Sequence, residues 1–408
     1  MQDTKLYGIL LGLKEPWSVS QVIVNQEELR VDVWVEHPEK IKWSCPECAS
    51  EHGVLDHAEE RVWRHLDSCQ FATFLHARIP RVKCLTHGAR QVRVPWAEPK
   101  SRFTLMFERL AIDVLQECSI TGATRIMRTS WDKAWGIMER AVARGMERKQ
   151  ARPARRIGVD EKAIAKGHKY MTLVCDLDHH TVDYVSKERE EAALQGYYQQ
   201  LTPEQRDAIE AVAMDMWQPF ISATEKALPE AGKKIVHDRF HIMRDMGEAV
   251  DEVRRAEHKE LLGEGIELLK RTKYLWLANV ENIPVQRRAE FRDLQAENLK
   301  SSRAWAIKEA LREFWQYRYR GPAEAFLKRW YWWATHSRLK PVIEVAKKLK
   351  RHWKQVLNYC QHRITTAVCE GFNSKIQTVK KMACGFRNAE NFKTAIFFHC
   401  GGLDLYPC

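Results

Sequence analysis

No stretch of this sequence stays apolar long enough to cross a membrane. The opening segment, MQDTKLYGILLGLKEPW, has an acid early and an apolar run too short for a secretory signal, so no export is expected. The 11 cysteines are odd in number and scattered; they suit a reducing cytoplasm better than a disulfide framework. There is no internal repeat and no low-complexity tract. Acid is in deficit: 54 Asp and Glu stand against 66 Lys and Arg, a net charge of +12. That excess favours an anionic partner, nucleic acid above all, and a cytoplasmic, nucleoid-associated protein with no membrane partner. The apolar fraction of 45% over 408 residues is enough for a large core in two or three domains.

Patterning changes along the chain. Residues 1–100 read as short strands, since apolar and polar residues alternate in QVIVNQEELRVDVWVEH and QFATFLHARIPRVKC. Residues 101–150 read as helical, and RKQARPARR (148–156) as a solvated basic linker. From Ile157 three strands are expected, with turns near Gly167 and His179. A helix, a strand, a helix and a strand then lead to Asp238. This β-β-β-α-β-α-β order is that of an RNase H-like mixed sheet. Residues 241–360 are patterned as helices throughout, and 361–408 as the last part of the core. The expected fold is therefore α/β and multidomain. It has a zinc-binding β domain (1–100), a helix-turn-helix region (101–150), an RNase H-like core (157–240 and 361–408) and an all-α insertion (241–360).

Cys45-x-x-Cys48 and Cys84-x-x-His87 are two knuckles of metal-binding spacing. Thiolates and imidazole suit Zn²⁺, a borderline-soft ion with no geometric preference of its own. Four ligands leave no open position, so the role is structural. A β-hairpin fits between the knuckles, with Cys69 and His52 as spare ligands. In the helical region, SITGATRIM, the turn RTS and SWDKAWGIMERAV fit a helix-turn-helix. Ser130 is the expected N-cap, and Arg128, Thr129, Lys133 and Trp131 are offered to DNA.

RRIGVDE ends an apolar strand on Asp160, and EAVAMDMW does the same with Asp215. A carboxylate at a core edge is costly without a partner. Two such strands side by side bring their acids together, and a helix across them can present Glu370. Three hard oxygen ligands suit Mg²⁺ or Mn²⁺, and paired ions of this kind carry phosphodiester chemistry. On the Glu370 helix, Asn373, Ser374 and Gln377 share its face, and Val368, Phe372, Ile376 and Val379 cover the core side. Lys375, Lys380 and Lys381 are placed for phosphates. Glu161, Asp176 and Asp238 compete for the same roles. Asp238 and His241, with His237 and Arg239 beside them, form a second rank.

The zinc knuckles, RQVRVPWAEPKSRFT with TSWDKAWGIMERAV, and the blocks IGVDE, AVAMDMW, VHDRFHI and EGFNSKI…KK…GFRN together resemble the insertion-sequence transposases of the ISL-three family, which use a DDE triad. The resemblance covers nearly the whole chain. It implies Asp160, Asp215 and Glu370 as the triad. It also implies binding to the terminal inverted repeats of the element, cleavage to free 3′-hydroxyls and joining to target DNA, with Mg²⁺ and a homodimer or larger multimer holding two ends. The competing readings are a non-catalytic zinc and helix-turn-helix DNA-binding regulator, and a nuclease without strand transfer. The aromatic and basic run LREFWQYRYRGPAEAFLKRWYWWATHSRLK reads either as a helix pair with an aromatic core or as Trp and Tyr interleaved with Arg to stack on flipped or single-stranded bases at a cut end. Trp332 and Trp333 are expected partly buried, and Arg320, Lys328 and Arg329 facing DNA.

Overall fold

The computed structural model describes residues 2–150, 152–165, 169–188 and 190–408. The chain divides into two compact units, Met1–Lys149 with Val379–His399 and Leu403–Cys408, and Gln150–Thr378 with Cys400–Gly402. Among the described residues no helix is long and apolar enough to cross a membrane.

The first unit opens on helix α1 (Asp3–Leu10), where the sequence suggested only strands. Eight residues are too few to separate the two periodicities, and the half-buried Tyr7 packs on the β core. Eight strands follow: β1 (Ser18–Asn25), β2 (Arg30–Glu36), β3 (Lys42–Ser44), β4 (Glu51–His57), β5 (Arg61–Arg64), β6 (Ala72–Ala77), β7 (Pro80–Cys84) and β8 (Gly88–Gln91). They form two sheets, β1-β2-β6-β5 and β3-β4-β7-β8. In β2 the buried residues are alternate ones, Val31, Val33 and Val35, which is the period of a strand with one face on the core. Trp17, Trp63 and Trp96 join them; Trp17 and Trp96 meet edge to face at 4.9 Å. The β5–β6 hairpin lies between the two zinc-type knuckles in sequence but pairs into the other sheet.

Helices α2 (Leu105–Glu117), α3 (Ile120–Met127) and α4 (Trp131–Arg148) complete this region. Thr104 caps α2 by accepting from the Phe107 N–H, and Ser119 caps α3 by accepting from Gly122. Ser130 stands at the start of α4, yet its side chain makes no capping bond. Ile112 and Leu115 are buried, whereas Leu110 is exposed. Glu108, 1% exposed, ties α2 to α4 by accepting from Arg140 (2.5 Å) and Arg144 (3.1 Å).

The second unit is built on the sheet β11-β10-β9-β12-β13. Its strands are β9 (Arg156–Ala165), β10 (Lys169–Asp176), β11 (Thr181–Lys187), β12 (Ala211–Met214) and β13 (Ile235–His237). Strand β10 is antiparallel to β9 and β11; β9, β12 and β13 run parallel. The turn expected near Gly167 lies outside the described residues. The turn near His179 is held by Asp176, which accepts from the Asp178 N–H and from the His179 N–H and imidazole. The expected linker is partly engaged: Ala154 is buried, and Arg155 and Arg156 pair with Glu210 and Asp178.

One face of the sheet packs on α5 (Glu191–Gln200) and α7 (Gln218–Ala227), with α6 (Pro203–Asp207) between them in sequence. Every residue of β12 is buried, as a parallel strand covered on both faces requires. After α8 (Ala231–Lys234) and β13 come the helices α9 (Arg239–Gly263), α10 (Lys273–Leu277), α11 (Arg288–Ala296), α12 (Lys300–Glu313), α13 (Arg320–Thr335), α14 (Lys340–Arg351), α15 (Trp353–Leu357) and α16 (Tyr359–His362). Their core is continuous with Ala211, Ala213 and Val236 of the sheet. Helix α17 (Ala367–Met382) carries Glu370 but is not the final helix, because α18 (Ala389–Cys400) follows.

Candidate functional site

Register places the acids. In β9, Ile157 and Val159 point into the α5–α7 core, so Gly158 and Asp160 face the other way. Strand β12 pairs with β9 as Ala211↔Arg156 and Ala213↔Gly158; two residues on, the same register sets Asp215 beside Asp160. Strand β13 pairs Met214 with His237, which sets Asp238 next in that row. Three aspartates thus stand in one row across three adjacent parallel strands: Asp215 and Asp238 just past the ends of β12 and β13, and Asp160 midway along β9, which runs on to Ala165 in its pairing with β10 instead of ending on the acid as expected.

Glu370 reaches the row through α17. Cys369 and Ile376 are fully buried, and Cys369 packs on the sheet against Gly158. The helix comes so close that a Cβ at Gly158 would collide with the Cys369 Sγ. Asn373 donates from Nδ2 to Asp160 Oδ2 at 2.7 Å, and Lys162 Nζ donates to the Asn373 carbonyl at 3.0 Å. Asp160, Asp215 and Glu370 line one cavity of about 380 Å³, together with His241, Arg244 and Asn373. Burial pushes the Asp160 pKa up to about 6, with Glu370 among the neighbours that raise it. Burial also raises the Glu370 pKa. Glu370 Oε1 and Asn373 Oδ1 are buried without a hydrogen-bond partner. Hard oxygens, two of them orphaned, beside carboxyls that resist ionisation in isolation fit a divalent cation such as Mg²⁺.

Asp238 has another task. Its Oδ2 accepts from the Phe240 and His241 N–H groups at the start of α9, and its Oδ1 accepts from the Thr366 N–H at 3.0 Å. Thr366 immediately precedes α17, so this buried carboxylate fixes where the Glu370 helix begins. His241 lies 3.4 Å from Asp238, whose carboxylate raises its pKa. His237 is buried against His352 and pushed down to about 4 by burial; Arg239 is exposed. Arg244 was missed in the sequence. Its signal is the i+3 spacing from His241, which puts both on one face of α9. Val368 and Phe372 are only half-buried; the core side of α17 is Cys369, Ile376 and Val379. Lys375 and Lys381 are exposed, Lys380 is half-buried, and none of the three lines the cavity.

In the first unit, the donor atoms of Cys45, Cys48, Cys84 and His87 all lie within 4.8 Å of one another. Cys48 and Cys84 sulfurs are 3.6 Å apart, and His87 Nδ1 is 3.6 Å from Cys84 and 3.9 Å from Cys45. A tetrahedron of ~2.3 Å metal–sulfur bonds has edges of about 3.7 Å, so the quartet has the size of a Zn²⁺ site. The backbone N–H of His87 on the Cys84 sulfur draws that thiol down to about 5, as a metal-binding thiolate needs. The other His87 nitrogen lies 3.6 Å from Glu47, which in turn accepts from Arg90. Neither spare ligand enters the cluster: His52 bonds to Ser50, and Cys69 is exposed.

The turn between α3 and α4 is three residues long, as in helix-turn-helix motifs. Lys133 and Trp131 are exposed on the first turn of α4. Arg128 takes a left-handed conformation (φ 49°), donates to the Gln70 carbonyl and pairs with Asp67. It therefore latches the turn onto the β region instead of standing free.

Comparison with known proteins agrees with these parts in order. A zinc-finger model of the transposases IS204/IS1001/IS1096/IS1165 matches residues 41–87. A model described as the helix-turn-helix domain of transposase family ISL3 matches 92–142. A third model, the ISL3 model described as "Transposase", matches 157–396. The transposase for insertion sequence element IS1557 of Mycobacterium tuberculosis is 26% identical, covering 96% of this chain and 94% of its own length. The transposase for insertion sequence element IS1001 of Bordetella parapertussis is 24% identical, covering 85% and 86%. The third match alone spans more than half of the sequence, and the chain belongs to the ISL3 family of transposases: it is a DNA transposase.

Proposed function

We propose that this chain cuts and joins DNA at the cavity lined by Asp160, Asp215 and Glu370, within a sheet of RNase H-like type. The observation that carries the reading is the juxtaposition of the three acids, one within β9, one at the end of the adjacent β12 and one on a helix tied to them, around orphaned buried oxygens. The β-β-β-α-β-α-β order, with β9 central and β12 and β13 parallel to it, supports the fold assignment. Bound at these acids, Mg²⁺ or Mn²⁺ ions supply Lewis acidity to the phosphate and an activated water or 3′-hydroxyl. The protein's own part is positional. Asn373 orients Asp160, Asp238 fixes the start of the Glu370 helix, and Arg244 and His241 set positive charge where a phosphate brings negative charge. A regulator without chemistry would have no use for buried oxygens left unpaired.

The zinc-binding region and the helix-turn-helix, with Lys133 exposed, are assigned to the terminal inverted repeats of the element. Lys375, Lys380 and Lys381 are assigned to phosphates along α17, and a homodimer or larger multimer to pairing two ends. The helical stretch 241–360 is an insertion between the second and third acids. The test is end cleavage: purified protein, Mg²⁺ and a labelled duplex carrying the DNA that flanks the gene, with Asp215→Asn in parallel. Strand-specific cuts at the element boundary, absent in the variant, are expected. Specific binding with no cuts in Mg²⁺ or Mn²⁺ would overturn the reading.

A further inference from the structure

Residues 317–354, which include α13 and α14, hold eleven Lys and Arg against two acids, a net +9 of the chain's +12. Three of these cations meet acids: Lys328 with Glu324, Lys347 with Glu344 and Lys348 with Asp245. Arg318, Arg329, Arg338, Lys340, Arg351 and Lys354 are exposed, and among the described residues they have no acid partner. The aromatics of the same stretch divide in two. Trp330 is buried and donates to the Ile307 carbonyl at 2.9 Å, as a core residue should. Trp332 is 63% exposed, Trp333 37% and Tyr319 76%. Trp332 was expected partly buried; instead it stands out on α13 with its ring stacked on His336, centroids 4.5 Å apart. Positions 328, 329, 332, 333 and 336 form one helix face, so cations and open rings alternate along it.

Exposed tryptophans cost free energy in water, and unpaired cations repel one another. A ligand that relieves both has regularly spaced negative charges and flat apolar rings. Unpaired DNA offers both, whereas a duplex hides its base faces in the stack. We propose that the α13–α14 face is a binding surface for single-stranded DNA, with Trp332 and Trp333 stacking on bases and Arg329, Arg338 and Lys340 neutralising phosphates. The proposal rests on the reading above only in taking DNA as the substrate.

The test is fluorescence anisotropy with the full chain and no added divalent metal, using a labelled oligothymidylate and a labelled duplex of the element end. Trp332→Leu with Trp333→Leu is expected to weaken oligothymidylate binding by about a hundredfold, about tenfold per ring, with duplex binding unchanged. Phe at both positions is expected to keep most of the affinity, since it still stacks. Arg329→Ala, Arg338→Ala and Lys340→Ala together are expected to lower the salt slope on the single strand by about 2. Unchanged oligothymidylate binding in the Leu pair would overturn the proposal. So would equal losses on single strand and duplex, which would mark a general polyanion surface. No cleavage is read, so failure of the catalytic reading leaves this test standing, and normal end cleavage with no single-strand binding would reject the surface alone.

Discussion

The zinc-type quartet and the acid cavity are assembled in opposite ways. The quartet comes from two short turns, each supplying two ligands three residues apart, and its four donors already lie within 4.8 Å of one another. The cavity takes its acids from β9, the end of β12 and α17, and keeps them only by register, by a glycine that lets a helix approach, and by a capping aspartate. A structural site can be closed locally because its task is to hold chain to chain. The proposed catalytic site draws on distant segments so that its groups converge on a ligand from several sides, and its geometry depends on the whole fold.

That contrast can be broken or sharpened by experiment. The largest effect is expected at the quartet: Cys84→Ser should release Zn²⁺ and with it binding energy on the order of 10 kcal/mol, unfolding the β3-β4-β7-β8 sheet. Zinc content and near-ultraviolet circular dichroism read this, and a folded, zinc-free variant would remove the structural role. Asp215→Asn should act the other way, leaving the melting temperature near wild type and slowing end cleavage by about a thousandfold or more. Asp160→Asn is the sharper probe. A carboxyl whose pKa is raised by folding stabilises most below its unfolded value, and that stabilisation is lost as pH rises through about 6. At neutral pH the ionised Asp160 therefore costs the metal-free protein about 3 kcal/mol, so the Asn variant should melt higher without metal and gain nothing from Mg²⁺. Lower stability in metal-free buffer would contradict this.

Much of this was legible and some was not, for physical reasons. Asp160 and Asp215 are visible because an apolar strand segment running into a carboxylate is a local signal; that β9 continues to Ala165 was not legible, since its extension depends on pairing with β10. The cysteine spacing is equally local. Asp238 looked like a spare ligand because its partner, the Thr366 N–H, is far along the chain. Arg128 looked free because its partner Asp67 lies far back in the chain, in the loop between β5 and β6. Gly158 drew no attention, since the need for a missing side chain arises only when Cys369 packs against it. Trp332 and Trp330 are two residues apart in one aromatic run, and composition cannot say which faces out.

Two smaller effects follow. His65, bonded to Thr104, and His237 are each pushed down to about 4 by burial. A histidine held neutral contributes stability present above about 6.5 and lost as pH falls toward 4, here up to about 3 kcal/mol each. Melting between these pH values should show acid loss that His65→Gln reduces in the first unit and His237→Gln in the second. Unchanged acid sensitivity in both would count against neutral burial. Gly158→Ala should crowd Cys369 and cost about 1–3 kcal/mol, with a larger proportional loss of cleavage than of stability because Glu370 moves with that helix. Cleavage falling only in step with stability would argue that the close approach serves packing alone.

The most direct test is anomalous diffraction from crystals of the protein soaked in Mn²⁺. The account predicts anomalous density bounded by Asp160, Asp215 and Glu370 and lost in Asp215→Asn crystals. Mn²⁺ bound elsewhere, with these three carboxylates free of it, would contradict it.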